Sequence, residues 1–392
     1  MKNLLIIIAL LVFLLTSCDF KDKNELRLKA VEDIHFKTKM AFGPGDAGCF
    51  MDLNSSKEYF YFCNKPTDQR IEIFDGRGNF IDSVNIKEVV NKFGSDISIT
   101  IVSMDTILIS TYYTNELIAV NSNGEIWFYL NIDSILPEEI QGKYEFIMFS
   151  QTAFSCNRQN LYFASKPSYY FVIPKKEFNN YSIDERILMY YSFYYNSPYF
   201  FKLSNYFSDT ISFEFGLDDI YHQICEDNSD YGEAPTYKYV NNKLFFYSRF
   251  SNCLFIINPD DFQIEKKLEL KSKFTKIGHP AIILSKGKVM EQRAETAQIW
   301  NRIGTISSVL FDNSYYYIVL KHPDLIPANL NKSKYLSFFS VIVLNDDFVL
   351  VDEFLFDAKE YELYSGRMTQ KGLAFQKTNT QDGKTYTIFN LF

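Results

Sequence analysis

Contiguous enzyme signatures are missing from this chain. It has no HExxH pair for a zinc peptidase and no GxSxG elbow for a hydrolase serine. It has no Walker loop for a nucleotide phosphate. The four histidines, His35, His222, His279 and His322, stand far apart with no ligand-like spacing. The cysteines form no CxxC pattern, which removes the usual thiolate metal and redox motifs. Excess positive charge is missing as well. The net charge of −8 argues against nucleic acid and against an anionic lipid surface as direct partners. No Pro/Gly/Ser linker and no low-complexity tract interrupts the chain, which points to one continuous domain. Only one apolar run is long, and it lies at the N-terminus.

That run, Leu4 to Leu15, follows Met1-Lys2-Asn3. It is shorter than the roughly 20 residues a membrane span needs, but it suits the apolar region of a signal peptide. It ends in Leu15-Thr16-Ser17-Cys18, which resembles a bacterial lipobox. The expected events are cleavage before Cys18 and acylation of its thiol. Two or three acyl chains would then hold the protein on a membrane. Residues 1–17 are thus read as a signal peptide, 18–30 as a lipidated tether and 31–392 as the folded domain. Five further cysteines remain. Cys225–Cys253 or Cys49–Cys63 could pair in an oxidising compartment, and buried free thiols are the alternative.

Aromatic residues are abundant. The chain has 28 Tyr and 38 Phe against 2 Trp, and aromatic side chains favour pleated, half-buried surfaces. Several segments repeat one pattern of strand, Asn/Asp/Gly turn and strand. They are Ile71 to Ile81, Leu117 to Leu130, Leu254 to Leu270 and Val341 to Phe356. Asn, Asp and Gly tolerate the backbone angles of tight turns. Another strand precedes each hairpin, at Tyr59 to Cys63, Thr106 to Thr111, Lys243 to Ser248 and Tyr315 to Leu320. About four strands recurring roughly every 45 residues mark propeller blades.

The middle of the chain fits this period less well. Phe146 to Phe154 and Leu161 to Ala164 read as strands, and Pro174 to Ile183 as an inserted loop. Ile187 to Tyr195 and Tyr199 to Phe207 read as a further strand pair. Ser285 to Ile303 contains a short helix from Ala294 to Trp300. Three C-terminal strands would be completed by the N-terminal segment Val31 to Ala41, closing the ring. The expected fold is an all-β propeller of six blades, or seven if the middle region holds another. A β-sandwich followed by a second β domain is the alternative.

The lipobox, the strand Phe311-Asp312-Asn313-Ser314-Tyr315-Tyr316-Tyr317, the hairpin Val343 to Phe348 and the ending Gly372 to Leu391 resemble uncharacterised β-propeller lipoproteins of Bacteroidetes-type bacteria. The resemblance implies a propeller and a lipid anchor, and brings no activity or catalytic residues. It also implies envelope placement, with the outer membrane favoured over the inner. Four Asp-Ser/Thr-apolar tripeptides resemble O-glycosylation sites of such bacteria, at Ser83, Thr106, Ser134 and Thr210.

No cofactor and no catalytic residue is nominated. The nearest cation candidate is the loop of Glu226, Asp227, Asp230 and Glu233. Its spacing does not match an EF-hand, and it reads more simply as a solvated acidic loop. The aromatic cluster Tyr190-Tyr191, Tyr194-Tyr195 and Tyr199-Phe200-Phe201 could stack on sugars, although packing between blades explains it more simply. The expected function is a lipid-anchored, non-catalytic binding or scaffold propeller for a protein or glycan partner. The alternative is a propeller hydrolase or lyase acting at the axial mouth, since propeller enzymes rarely carry contiguous motifs.

Overall fold

The computed structural model describes residues 26–392 apart from 39–46, 53, 112–114, 139, 148–152, 155–159, 169–171, 196, 198–199, 206, 208–210, 217–228, 231–235, 249–250, 279–281, 301, 324–337, 379 and 381–382. The chain opens with β1 (Leu28–Phe36) and then builds antiparallel sheets in succession. β2 (Ala47–Asp52), β3 (Lys57–Asn64), β4 (Arg70–Asp75) and β5 (Phe80–Asn85) form the first blade. A short helix α1 (Lys87–Phe93) leads into β6 (Ile97–Ser103), β7 (Thr106–Thr111), β8 (Glu116–Val120) and β9 (Ile126–Asn131).

The next sheet holds β10 (Tyr144–Ile147), β11 (Ala153–Phe154), β12 (Asn160–Pro167), β13 (Phe200–Ser204) and β14 (Ser212–Gly216). Helix α2 (Ile183–Tyr195) interrupts its β12–β13 connection. A two-residue strand β15 (Ser229–Asp230) precedes the blade of β16 (Thr236–Val240), β17 (Lys243–Tyr247), β18 (Cys253–Ile257) and β19 (Ile264–Glu269). After β20 (Ile282–Ile283), which pairs with β15, comes α3 (Val289–Trp300). It leads into β21 (Thr305–Phe311), β22 (Tyr315–Lys321), β23 (Phe338–Asn345) and β24 (Leu350–Asp357). β25 (Arg367–Thr369), β26 (Gly372–Gln376) and β27 (Lys384–Leu391) then take β1 as their fourth strand, with Ile34 opposite Tyr386.

Five sheets are therefore regular four-stranded blades, which differs from the expected count of six or seven. The middle region forms an irregular five-stranded sheet instead, because β10 and β11 both pair with β12. Two local expectations also change. Ile187 to Tyr195 is helical rather than extended, because Ser182 and Glu185 make a capping box that starts α2. The Ser182 amide donates to Glu185 Oε2 at 2.9 Å, and the Glu185 amide donates to Ser182 Oγ at 3.2 Å. Near the C-terminus the first of the three expected strands is short, at Arg367–Thr369, since Leu363–Ser365 just before it turns as a 3-10 segment.

Each sheet buries both faces of its central strands, so the core lies between neighbouring sheets. Ile34, Phe36, Phe60, Phe62, Phe74 and Tyr386 join the closing blade to the first. Leu310, Val319, Phe339, Phe356, Phe375 and Phe389 join it to β21–β24 on the other side. Aromatic rings suit this wedge-shaped space because each buries a large area on only two rotatable bonds.

One turn recurs in four blades and supports the ring. Asp75, Asn121, Asn258 and Asn345 each open the hairpin between the third and outer strands. Asp75, Asn121 and Asn258 accept the amide two residues on at 2.9–3.0 Å, whereas Asn345 Oδ1 accepts that of Val349 at 2.8 Å. Each turn then needs one residue with positive φ, namely Gly78, Gly124, Phe262 and Phe348. A Cβ on Gly78 would lie 2.1 Å from His35 O of β1, and one on Gly124 would lie 1.9 Å from Asn85 O. Glycine thus lets these turns touch the outer strand of the preceding blade. Phe262 and Phe348 tolerate the unfavourable φ because their rings pack on Phe200 and on Tyr316, with centroids 6.3 and 4.8 Å apart.

Candidate axial binding site

The inner strands converge on the ring axis. β2 touches β6 and β25, β21 touches β25 and β16, and β16 touches β11. They enclose a cavity of about 660 Å³. Pleating explains its lining, since alternate residues of an inner strand face the axis while their neighbours face the core. In β16, Tyr237 is fully buried against Phe200, and Lys238 faces the cavity. In β6, Ser98 and Thr100 line the cavity, as does Ile101, which also packs into the interblade core. Ser307 and Ser308 of β21 add two more hydroxyls.

Two cations define the electrostatics. Arg367 is the first residue of β25 and is held by backbone carbonyls. Its Nη1 donates to Gly366 O at 2.7 Å and Tyr364 O at 3.2 Å, and its Nη2 donates to Ala47 O at 2.6 Å. A guanidinium carries five N–H donors, so Nε–H and one Nη2 proton remain. Lys238 has no hydrogen bond or ion pair among the described residues. Burial, with Arg367 nearby, holds its ammonium below the ordinary lysine range, and Cys49 works weakly the other way. No Asp, Glu or His is among the described residues that line the cavity. The third lining cation, Lys65, is engaged with Ile97 O at 2.9 Å.

Cys49 of β2 faces the same space and donates to Met368 O at 3.1 Å. Burial, reinforced by Glu58, pushes its thiol up to about 12, although Arg367 and Lys238 pull it down. It is therefore a neutral thiol at physiological pH, not a nucleophilic thiolate. Tyr247 closes another part of the wall. Its hydroxyl donates to Ser307 O at 3.4 Å, and burial raises its ionisation above the usual tyrosine range. Tyr61 lies over the backbone of Gly48, where a Cβ would come within 2.5 Å of the ring.

The residues singled out from the sequence lie elsewhere. Cys18, Thr210, Glu226, Asp227 and Glu233 fall outside the described residues, as do His222, His279, Cys156 and Cys225. Asp230 lies in β15. Among the described residues no group of three or more His, Cys, Asp or Glu is placed to hold a metal ion. Ser83 is exposed on outer strand β5, and Thr106 begins β7. Ser134 is exposed in a 3-10 turn, where its Oγ donates to Asn131 O at 2.6 Å. No disulfide joins Cys49 to Cys63, and Cys253 is in no disulfide either, so neither suggested bridge forms. The register explains one case: Cys49 lies opposite Phe60, three residues from Cys63. In the aromatic cluster, Phe200 and Phe201 are fully buried, and Tyr190 and Tyr191 pack against the core.

Lys238, Arg367 and Tyr61 were not singled out from the sequence. A lysine inside Thr236-Tyr-Lys-Tyr-Val was the one visible hint, since it places a charge on an otherwise aromatic strand. Its convergence with Arg367, far along the chain, depends on ring closure.

No family model and no curated protein matches the chain. Among solved structures it is similar to a DUF4221 family member from Bacteroides vulgatus. That match has 17% identity, covers 94% of this chain and 99% of the other, and has a TM-score of 0.64. It is also similar to a Bacteroides fragilis protein described as exported, at 9% identity and TM-score 0.53, covering 95% and 97% of the two chains. These likenesses define the class: an all-β propeller.

Proposed function

We propose that this chain is a lipid-anchored envelope propeller related to the uncharacterised DUF4221 group, and that it is a binding module whose ligand occupies the axial cavity. The observation that carries this reading is the cavity itself. Its volume of about 660 Å³ falls within the range of small-molecule sites, and the inner strands of neighbouring sheets build it. Fixed hydroxyls, tyrosine rings and two cations converge there with donors to spare.

Anchoring at Cys18 follows from the lipobox, and the exported neighbour supports placement in the envelope. Among the described residues no helix is long and apolar enough to cross a membrane. Ser83, Thr106, Ser134 and Thr210 are proposed O-glycan acceptors on the same reasoning, with exposed Ser83 the first to examine. Protease treatment of intact cells tests the placement, with Cys18→Ala as the unanchored control and mass spectrometry for acyl chains. Acylated protein that is cut on intact cells faces outward. Acylated protein that resists until the outer membrane is opened faces the periplasm. Absence of an acyl chain on Cys18 overturns the anchor.

A further inference from the structure

We infer that the ligand of the axial cavity is a small organic anion whose carboxylate or phosphoryl oxygens sit between Lys238 and Arg367. The inference rests on the cavity being the ligand site, and it names that ligand's chemistry.

The chain as a whole is acidic, at −8, yet the described lining of its axis carries cations and no carboxylate. Structural lysines in protein interiors are paired with acids, because an isolated buried ammonium is costly. Lys238 lacks such a partner among the described residues, and its charge is further disfavoured by Arg367. Two like charges held together without a counter-ion destabilise the empty site. An anion placed between them relieves this penalty, so part of its binding energy is already stored in the fold.

Arg367 is pre-positioned. Three carbonyl contacts fix the guanidinium plane, which lowers the entropy lost when its free Nε–H and Nη2–H bind an oxyanion. Ser98, Thr100, Ser307 and Ser308 supply hydroxyls for the rest of a polar ligand, and Tyr61 supplies a ring face. The acidic exterior disfavours extended polyanions, whereas a small anion can enter an enclosed positive cavity. The chemistry common to these features is that of a sugar acid or sugar phosphate.

Thermal stability of the folded domain tests the inference, using galacturonate, glucose 6-phosphate, galactose and inorganic phosphate as probes. Four proteins are compared: wild type, Lys238→Met, Lys238→Arg and Ser98→Trp. Without ligand, Lys238→Met should melt at the same temperature as wild type or higher, because it removes an uncompensated charge without breaking a hydrogen bond. A lysine with a merely structural role would instead give a lower melting temperature. The acidic sugars should stabilise wild type and Lys238→Arg, and their affinity for Lys238→Met should fall by about tenfold or more, the usual effect of losing a charged hydrogen bond. Stabilisation by galacturonate but not glucose 6-phosphate assigns a carboxylate, and the reverse assigns a phosphoryl group. Equal stabilisation of wild type and Lys238→Met overturns the inference, because the anion then binds elsewhere. Stabilisation by galactose alone, abolished by Ser98→Trp in the cavity wall, also overturns it but leaves the axial site standing. No shift with any probe in any variant counts against both.

Discussion

Replacing Phe36 by alanine should unfasten the closing blade. Phe36 lies near the end of β1 and is 1% exposed. Its ring meets Phe60, Phe62 and Phe74 of the first blade at 4.9, 5.2 and 5.6 Å, and Tyr386 of β27 at 5.9 Å. Truncating a buried Phe costs about 3–5 kcal/mol, and this site cannot collapse easily because the four rings around it are held by three different strands. A domain of about 365 residues unfolds with an entropy near 0.8 kcal/mol/K, so a loss of about 4 kcal/mol should lower Tm by about 5 °C. Phe80→Ala is the control, since Phe80 touches Phe74 but is 56% exposed. It should cost less than about 1 kcal/mol, or about 1 °C. Calorimetry measures both shifts, and hydrogen exchange should show faster opening along β1 and β27 in Phe36→Ala. Equal shifts in the two variants, or exchange unchanged along β27, would falsify the claim that this ring seals the closure.

Two further outcomes follow from particular contacts. His322 Nε2 lies 2.9 Å from Ser340 Oγ, which itself donates to Glu353 Oε1 at 2.6 Å, so the neutral imidazole suffices as donor. Desolvation lowers the His322 pKa, with Glu353 opposing in part. The folded state therefore resists protonation more than the unfolded chain. Stability should fall as pH drops below the unfolded value near 6.5, until the folded imidazole is itself protonated. His322→Gln should flatten this part of the pH–stability curve, and an unchanged slope between pH 7 and 5 would count against the assignment. Gly48→Ala should drive the Tyr61 ring off β2, at about 1–3 kcal/mol of overpacking strain. Anion affinity should fall with it. Undiminished affinity would show that Tyr61 does not shape the cavity.

Much of the fold was legible in the chain because its signals are local. The turns at Asp75, Asn121, Asn258 and Asn345 announce themselves through side chains that bond their own backbone. The flanking strands follow from alternation, and helix α3 from its composition around Ala294 to Trp300. The fourth strand of the closing blade was also visible, although β1 spans Leu28–Phe36 rather than Val31 to Ala41. Helix α2 is hidden in the sequence because Tyr190-Tyr191 and Tyr194-Tyr195 favour strands by type, while the Ser182–Glu185 box that starts the helix lies upstream of them.

The irregular middle sheet and the axial site depend on longer-range facts. Periodicity shows that a segment is extended, but not that β10 and β11 share one partner. The sequence by itself determined the strand units and their turns, because each is encoded within a few neighbouring residues. The tertiary structure decided that Lys238 and Arg367 face one cavity, that no disulfide joins Cys49 to Cys63, and which phenylalanines seal the ring. Closing the ring brings residues far apart in the chain to one axis, and no local pattern in the sequence records that distance.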